Sequence, residues 1–566
     1  MARVAPLAAS RDQLLASGAR VEHTWLVCVL LGAYAALTYY LQRSLWHAAA
    51  QYEHLSTPLV AAIFIAALAT VAAIARLAPL MLEQLGSSFG TLVSRHERLL
   101  AAALVVCAAL LPALIATVTL NGFPNSGDEY AYAFQAEQFA RGRLWAPAPP
   151  LDYSLVAYRT WIIGDKWVSQ YPPGWPAFLA LALRLHLPGW AASVALGAGS
   201  AALLFATSWQ TSRPPLRIAA AATYVLSLFY LLNAASFYSH VLSAVLITLV
   251  CLTCIWYERT QRARTLLLCG ALLGLIGITR YFSLVLLLPA LGWFLVRQRG
   301  RQAQLAALIV LGALPFLAAL LAYQDAITGD PLRSSYSVIA DHDIPLSLQP
   351  QAVLHGLQLS AHQLAELGLW STPLLPVALL VCLCAKWQSR SLAFHDLVLP
   401  SFVFGYVFFA DLGGNRYGPR YYFDAYPLLL VTLFSTRVPH RSWTAGLLRA
   451  PLLVSAVLVS LLYMLIALPL ALGNYHEQVV QRAEVYRLST QQGLQNAIVI
   501  VQNSVSRGLR AVDLARNDAQ LNGRVLYARP DTSVSELQRA FPGRSIWAYR
   551  HDKTRAYLWQ LAAPAH

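Results

Sequence analysis

The densest polar chemistry of the chain lies at 121–171. It reads NGFPNSGDEYAYAFQAEQFARGRLW, then a Pro-rich APAPP turn at 146–150, then DYSLVAYRTWIIGDKWVSQYPPGW. Asp128 and Glu129 are adjacent carboxylates. Neighbours on a helix point about 100° apart, so the two do not make a facing acid/base pair, and one can cap the helix while the other faces a substrate. Ser126-Gly127-Asp128-Glu129 fits the S-x-x-E capping box, in which Glu129 reaches back to the Ser126 N–H. Acidic residues are also favoured in any first helical turn. Asp128 is the candidate for the substrate-facing carboxylate; Glu129 is a second candidate for which the capping role stays equally open. Tyr130, Tyr132, Phe134, Phe139 and Trp145 surround the pair, Tyr171 follows, and Arg141, Arg143, Arg159 and Lys166 share the loop. Aromatic platforms with a few carboxylates suit a sugar, and clustered cations suit a phosphate. The same residues also suit an interfacial aromatic belt and lipid headgroups.

A second constellation, DLGGNRYGPRYYFDAYP, occupies 411–427. Arg416, Arg420 and Asp424 are too many charges for a lipid-exposed junction and should face a protein-lined cavity, with Gly413, Gly414 and Gly418 permitting tight turns. Arg280, in GITRYF, interrupts an otherwise apolar run from 265 to 296. It either marks a turn and snorkels or joins Arg420 in gripping an anion. Lys166 and Arg416 are further candidates for the anion, and Tyr421 and His240 for the substrate. Asp341-His342-Asp343 are three consecutive residues, which cannot easily wrap one ion. A divalent metal is therefore not indicated, and no cofactor is expected.

These residues need a scaffold, and the composition says which. The 566 residues are 58% hydrophobic and only 12% charged, half the charge of a soluble domain. The chain is expected to be an all-α polytopic membrane protein. The net charge of +15 reflects arginine-rich loops facing anionic lipid rather than nucleic-acid binding. All seven cysteines, Cys251 and Cys254 of a C-x-x-C among them, sit in apolar runs, which argues against a disulfide framework or a zinc site.

Spans of about 20 apolar residues are predicted at 25–41, 57–81, 99–119, 189–209, 216–232, 240–256, 265–279, 281–296, 303–323, 371–385, 393–410, 422–436 and 450–472, thirteen in all. The first is expected to be a retained anchor. With the N-terminus inside, alternation places Arg95/Arg98, Arg213/Arg217, Arg259/Arg262/Arg264, Arg297/Arg299/Arg301, Lys386/Arg390 and Arg437/Arg441 all in the cytoplasm, as the positive-inside rule asks. The segment 172–187 is too short to span and is expected to lie at the outer surface as a helix. Three outer segments remain: a catalytic loop at 120–188, a second loop at 324–370, and the tail at 473–566, with the GPRYY loop at 411–421 on the same face. The division is thus a transmembrane domain 1–472 and a small extracytoplasmic α/β domain 473–566. The tail is predicted to hold strands at 497–502, 524–529 and 545–550, a further one at 555–560, and a helix at 532–540 capped by Thr532 or Ser533. No internal repeat is visible.

In this order and topology, SGDEYAYAFQA, YPPGWPAFLAL, the R-Y/F junction at Arg280 and GPRYY resemble the polyprenyl-phosphate-sugar-dependent membrane glycosyltransferases of the C-type fold, which include the lipid A aminoarabinose transferase and the protein O-mannosyltransferases. The resemblance covers most of 99–440 and includes the thirteen-span count. It implies a hexosyl- or pentosyltransferase of the bacterial inner membrane, with its N-terminus cytoplasmic and its tail periplasmic. The partners it implies are an undecaprenyl-type phosphate donor and a lipid, glycan or protein acceptor. The first acidic residue of the family's loop pair, thought to act as base, matches Asp128. The alternatives are a transporter or flippase of a lipid-linked saccharide, and an assembly scaffold. Transporters commonly show repeats and Gly/Pro-broken mid-membrane helices, and the sequence displays neither. No Gly-rich nucleotide fingerprint is present, which argues against a nucleotide-sugar donor.

Overall fold

The computed structural model describes residues 11–49, 57–339, 346–409, 416–435, 450–502, 511–552 and 555–564. Asp341, His342, Asp343, Gly413, Gly414, Arg437 and Arg441 lie outside them. The chain opens with α1 (Arg11–Ala49), α2 (Thr57–Leu77) and α3 (Pro79–Leu114). α1 packs on α2 and on a late helix, α18 (Ala450–Gln491), where Gln42 donates to the Tyr463 hydroxyl at 2.6 Å. The polar connection expected between the second and third spans is instead helical, α3 departing from helical backbone only at His96.

The segment 120–188 holds α4 (Gly127–Ala140), then β1 (Ala146–Pro147), β2 (Thr160–Ile163) and β3 (Lys166–Ser169), an antiparallel sheet in the order β1-β3-β2. α4 starts on the Ser126 cap and ends before Gly142 at φ +74, as the sequence indicates. The hairpin was not anticipated; its signal is Gly164-Asp165 between two runs rich in tryptophan, isoleucine and valine. α5 (Gly174–Arg184), at 11 residues, rises only about 16 Å and cannot cross a membrane.

The bundle continues with α6 (Gly189–Trp209), α7 (Pro214–Val225), α8 (Leu228–Ala235), α9 (His240–Thr260), α10 (Arg264–Thr279), α11 (Tyr281–Val296), α12 (Gln302–Thr328), α13 (Ser335–Ile339), α14 (Pro350–Trp370), α15 (Leu375–Gln388), α16 (Phe394–Tyr406) and α17 (Tyr426–Leu433). α9 is enclosed nearly all round and packs on α6, α10 and the 3-10 turn Arg420–Ala425. Among the described residues seven helices are long and apolar enough to cross a membrane, nine if each bent pair counts as one span. The pairs are α7–α8, bent by 55°, and α14–α15, bent by 112°. The first break needs no glycine or proline: Ser227 stops one helix and caps the next, its Oγ accepting from the Tyr230 N–H at 3.1 Å. Of the thirteen expected spans, those at 265–279, 281–296, 393–410 and 422–436 fall on helices of 16, 16, 13 and 8 residues. The expected second outer loop is largely α14.

Side-chain contacts gather several of the connections into two groups. At one end Arg217 meets Glu97, Arg259 reaches the Gln210 carbonyl, Ser212 the Phe434 carbonyl and Trp293 the Leu392 carbonyl. At the other, Asp128, Tyr238, Arg280 and Arg420 gather.

α18 is 42 residues long, about 63 Å, twice the hydrocarbon thickness. It therefore does not stop at 472 as expected. Its second half rises out of the bundle and carries the tail sheet, with Val485 and Leu488 packed under the strands. That sheet runs β5-β4-β6-β7, from β4 (Ala497–Val501), β5 (Val525–Ala528), β6 (Ser545–His551) and β7 (Ala556–Ala562). β4 lies parallel to β5 and β6, β7 antiparallel to β6, and α19 (Val534–Ala540) follows the Ser533 cap position.

Candidate active site

Asp128, the second residue of α4, accepts three bonds or charges at once. Arg420 Nη2 lies 2.8 Å from Oδ2, the Tyr171 hydroxyl donates to Oδ1 at 2.6 Å, and Arg159 Nε stands 3.4 Å from Oδ1. Burial pushes its pKa up, but Arg420, Arg159 and the Tyr171 bond outweigh burial and hold the carboxyl below its ordinary value. Asp128 is thus a held, ionised carboxylate with its side chain 17% exposed.

Glu129 turns the other way, as the 100° helical offset requires. It is fully buried; Oε1 accepts from the Phe237 N–H at 3.1 Å and Oε2 from the Ser126 hydroxyl at 3.1 Å. The expected bond back to the Ser126 N–H is replaced by these two, while the Glu129 N–H donates to Ser126 Oγ. Burial raises its pKa, with the Phe237 bond, Arg416 and Ser126 opposing. A chain of hydroxyls joins the two carboxylates: Arg420 Nη1 donates to Tyr238 Oη at 2.7 Å and Tyr238 donates to Ser126 Oγ at 2.9 Å.

Next to this lies a second centre. Asp424, with none of its surface exposed, accepts from Ser243 at 2.8 Å and Ser283 at 2.6 Å, pairs with Arg280 Nε at 3.2 Å, and bonds His240 Nδ1 at 2.9 Å. Arg280 Nη1 reaches Ser239 Oγ at 3.2 Å and His240 Nε2 at 3.3 Å. The Tyr132 hydroxyl meets Ser239 at 3.2 Å, and its ring lies 4.4 Å from that of Tyr171. The Tyr421 ring stands 5.9 Å from the Arg280 guanidinium and 5.7 Å from that of Arg420. Two guanidinium–carboxylate pairs therefore share one wall of tyrosines.

The backbone is bent to achieve this. Arg159 and Tyr417 take φ of +74 and +61, and Gly418 +85; such strain in non-glycine residues persists only where surroundings enforce it. A Cβ on Gly418 would lie 2.7 Å from Trp370 Cδ2 and 3.1 Å from Phe229 Cδ2, so only glycine fits. The Arg420 N–H closes the turn on the Gly418 carbonyl at 2.7 Å.

Asp128, Arg420, Arg280, Tyr132, Tyr171, Tyr421 and His240 are thus brought together. Two sequence candidates are placed elsewhere. Lys166 donates to the Ala326 carbonyl at 2.7 Å and covers Trp145. Tyr130 donates to the Asn517 carbonyl of the tail at 2.8 Å. Arg416 instead stands by both carboxylates, its charge acting on Asp128 and Glu129 as well as on Tyr238 and Asp513. Ser243 and Ser283 carry no sequence signal as site residues, since serines in apolar helices have no distinguishing local pattern. Arg159 was grouped with the loop cations only. Among the described residues no three His, Cys, Asp or Glu side chains converge as a metal set.

No protein-family model matches the chain, and no curated protein does. Solved structures to which it is similar include ArnT from Cupriavidus metallidurans bound to undecaprenyl phosphate, at 15% identity and a TM-score of 0.49, covering 82% of this chain and 99% of that one. The apo state of that protein gives 16% and 0.47, over 79% and 92% of the two chains. The mycobacterial arabinofuranosyltransferase AftD gives 16% and 0.37, over 75% of this chain and 31% of that one.

Proposed function

We propose that the chain is an integral membrane glycosyltransferase that moves a sugar from a polyprenyl-phosphate donor to an acceptor hydroxyl at the outer face of a bacterial inner membrane. The tail then lies on the periplasmic side. The observation that carries this reading is the meeting of Asp128 with Arg420, beside Arg280 and Asp424, at one end of an apolar bundle. Arginines are suited to phosphate, and here each is neutralised by a carboxylate. An incoming phosphate competes with Asp128 for Arg420 and with Asp424 for Arg280.

The step is a single displacement. The acceptor oxygen bonds to the anomeric carbon as the bond from that carbon to the phosphate oxygen breaks. The hydroxyl proton passes to Asp128, and the polyprenyl phosphate leaves as an anion. The leaving group needs no acid, unlike the paired carboxyls of a glycosidase; it needs positive charge where its own charge grows, which Arg420 and Arg280 supply. Loss of Arg420 to the donor also frees Asp128 from the contact that most depresses its basicity, so donor binding and base strength rise together. Inversion at the sugar carbon follows.

The purified chain, supplied with a polyprenyl-phosphate-linked sugar and candidate acceptors, should transfer the sugar, and Asp128→Asn should not. Flux of intact donor across vesicles lacking any acceptor, with no transfer when acceptor is added, would instead establish a flippase.

A further inference from the structure

One segment of the tail, around Val512–Arg516, meets the chain that enters α4. The Val512 carbonyl accepts from the Tyr158 N–H at 2.9 Å, next to Arg159. The Arg516 guanidinium then forks onto the chain entering α4: Nη1 donates to the Pro124 carbonyl at 2.7 Å and Nη2 to the Ser126 carbonyl at 3.3 Å. Its Nε is held by the Asp513 carbonyl at 2.8 Å, and the Phe123 and Tyr130 rings flank it at 4.7 and 5.2 Å. Asp513, itself paired with Arg482 at 3.2 Å, puts its Oδ1 3.1 Å from where a Cβ on Gly127 would stand. There its negative charge complements the helix N-terminus. The first turn of α4 is therefore gripped from both sides: by the bundle through Phe237 and Tyr238, and by the tail through Arg516 and Asp513.

We propose that Arg516 is a positioning residue for Asp128: the tail domain clamps the entrance of α4 and so sets where that carboxylate stands relative to Arg420 and the acceptor. The proposal rests on Asp128 as the base. Asp128 is two residues past the Ser126 carbonyl that Arg516 holds, so release of the fork lets the first turn of α4 shift. A shift near 1 Å costs on the order of 10²-fold in rate.

The test uses the full-length protein with Arg516→Ala, Arg516→Lys and, as a benchmark, Asp128→Asn. Arg516→Ala should lower kcat tenfold or more while donor affinity stays within about threefold, a split that marks lost transition-state alignment rather than lost binding. Its acid limb in the pH–rate profile should move to higher pH, because a displaced Asp128 loses the arginine contacts that keep it ionised. Arg516→Lys keeps the charge and one donor but not the fork, and should fall between wild type and Ala; should the Ala variant not fold, the Lys variant carries the same prediction at smaller amplitude. A folded Arg516→Ala protein with wild-type kcat and an unmoved acid limb overturns the clamp, as does a loss of rate that follows only the loss of folded protein. Undiminished transfer by Asp128→Asn instead removes the base assignment itself.

Discussion

Asp128 and Arg420 are separated by 292 positions of sequence and by 2.8 Å in space. Neither could be left alone where it lies: breaking a largely buried pair by removing one partner costs about 3–5 kcal/mol. The contact therefore constrains the whole bundle between the start of α4 and the late GPRYY turn. Asp128→Asn tests its chemical side. With a general base worth about 10²–10⁴-fold, kcat should fall by that amount while donor affinity is kept or rises, since an amide no longer competes with phosphate for Arg420. Sugar transfer by a folded mutant at the wild-type rate would contradict the role.

Arg420→Ala tests the other partner. It should weaken donor binding by roughly 1.5–3 kcal/mol, the worth of a charge-assisted bond. It also removes the foremost opponent of burial at Asp128, so the acid limb of the rate profile should move up. Stability behaves correspondingly. A carboxyl held below its unfolded value of about 3.9 stabilises the fold above that pH and loses the contribution as pH falls through the depressed folded value. The stability gap between wild type and Arg420→Ala should narrow on acidification, measured by thermal unfolding; a gap independent of pH would argue against the pairing.

Glu129 separates chemistry from architecture. Burial raises its pKa, so its proton stabilises the fold below the unfolded value of about 4.3, and that contribution is lost as pH rises through the raised value. Wild type should therefore lose stability relative to Glu129→Gln over that window. Because an amide oxygen still accepts from the Phe237 N–H, Glu129→Gln should keep most of its transfer activity, whereas Glu129→Ala loses the anchor between α4 and the segment before α9. Loss of transfer in the Gln variant equal to that of Asp128→Asn would give Glu129 a chemical role.

The local sequence made part of this legible. SGDEYAYAFQA gave α4 and its cap because Ser at the cap position and Gly142 beyond the end are short-range signals, and the tail strands were readable because Ile, Val and Tyr cluster between turn residues. The partners of Asp128 were only half legible. GPRYY and Arg280 stand out as charges in apolar sequence, but nothing local says that Tyr238 links Arg420 to Ser126 or that Arg516 closes on Pro124, 392 positions away. The length of α18 was missed for a related reason: its apolar stretch ends near 472, and the change to polar composition there reads as a domain boundary although the helix runs on.

Lys166 illustrates a residue type that fits a phosphate and a position that does not. Its ammonium meets the Ala326 carbonyl in the last turn of α12 and the Trp145 ring at 4.8 Å, an arrangement that favours a cation at a helix C-terminus by about 0.3–1 kcal/mol. Lys166→Ala should lower thermal stability slightly and leave donor affinity at its wild-type value. A tenfold loss of donor affinity would return Lys166 to the site.

Gly418→Ala couples backbone to binding. At φ +85 an L-residue pays about 1–2 kcal/mol, and the added methyl would sit 2.7 Å from Trp370 Cδ2, forcing the ring or the turn to move at a further cost of about 1–3 kcal/mol. Because the Gly418 carbonyl accepts the Arg420 N–H, relief of the clash displaces the guanidinium from Asp128. Melting temperature and donor affinity should therefore fall together in Gly418→Ala, where Lys166→Ala lowers only the first. A destabilised Gly418→Ala protein that still binds donor as wild type would show that the turn supports the fold without aiming Arg420.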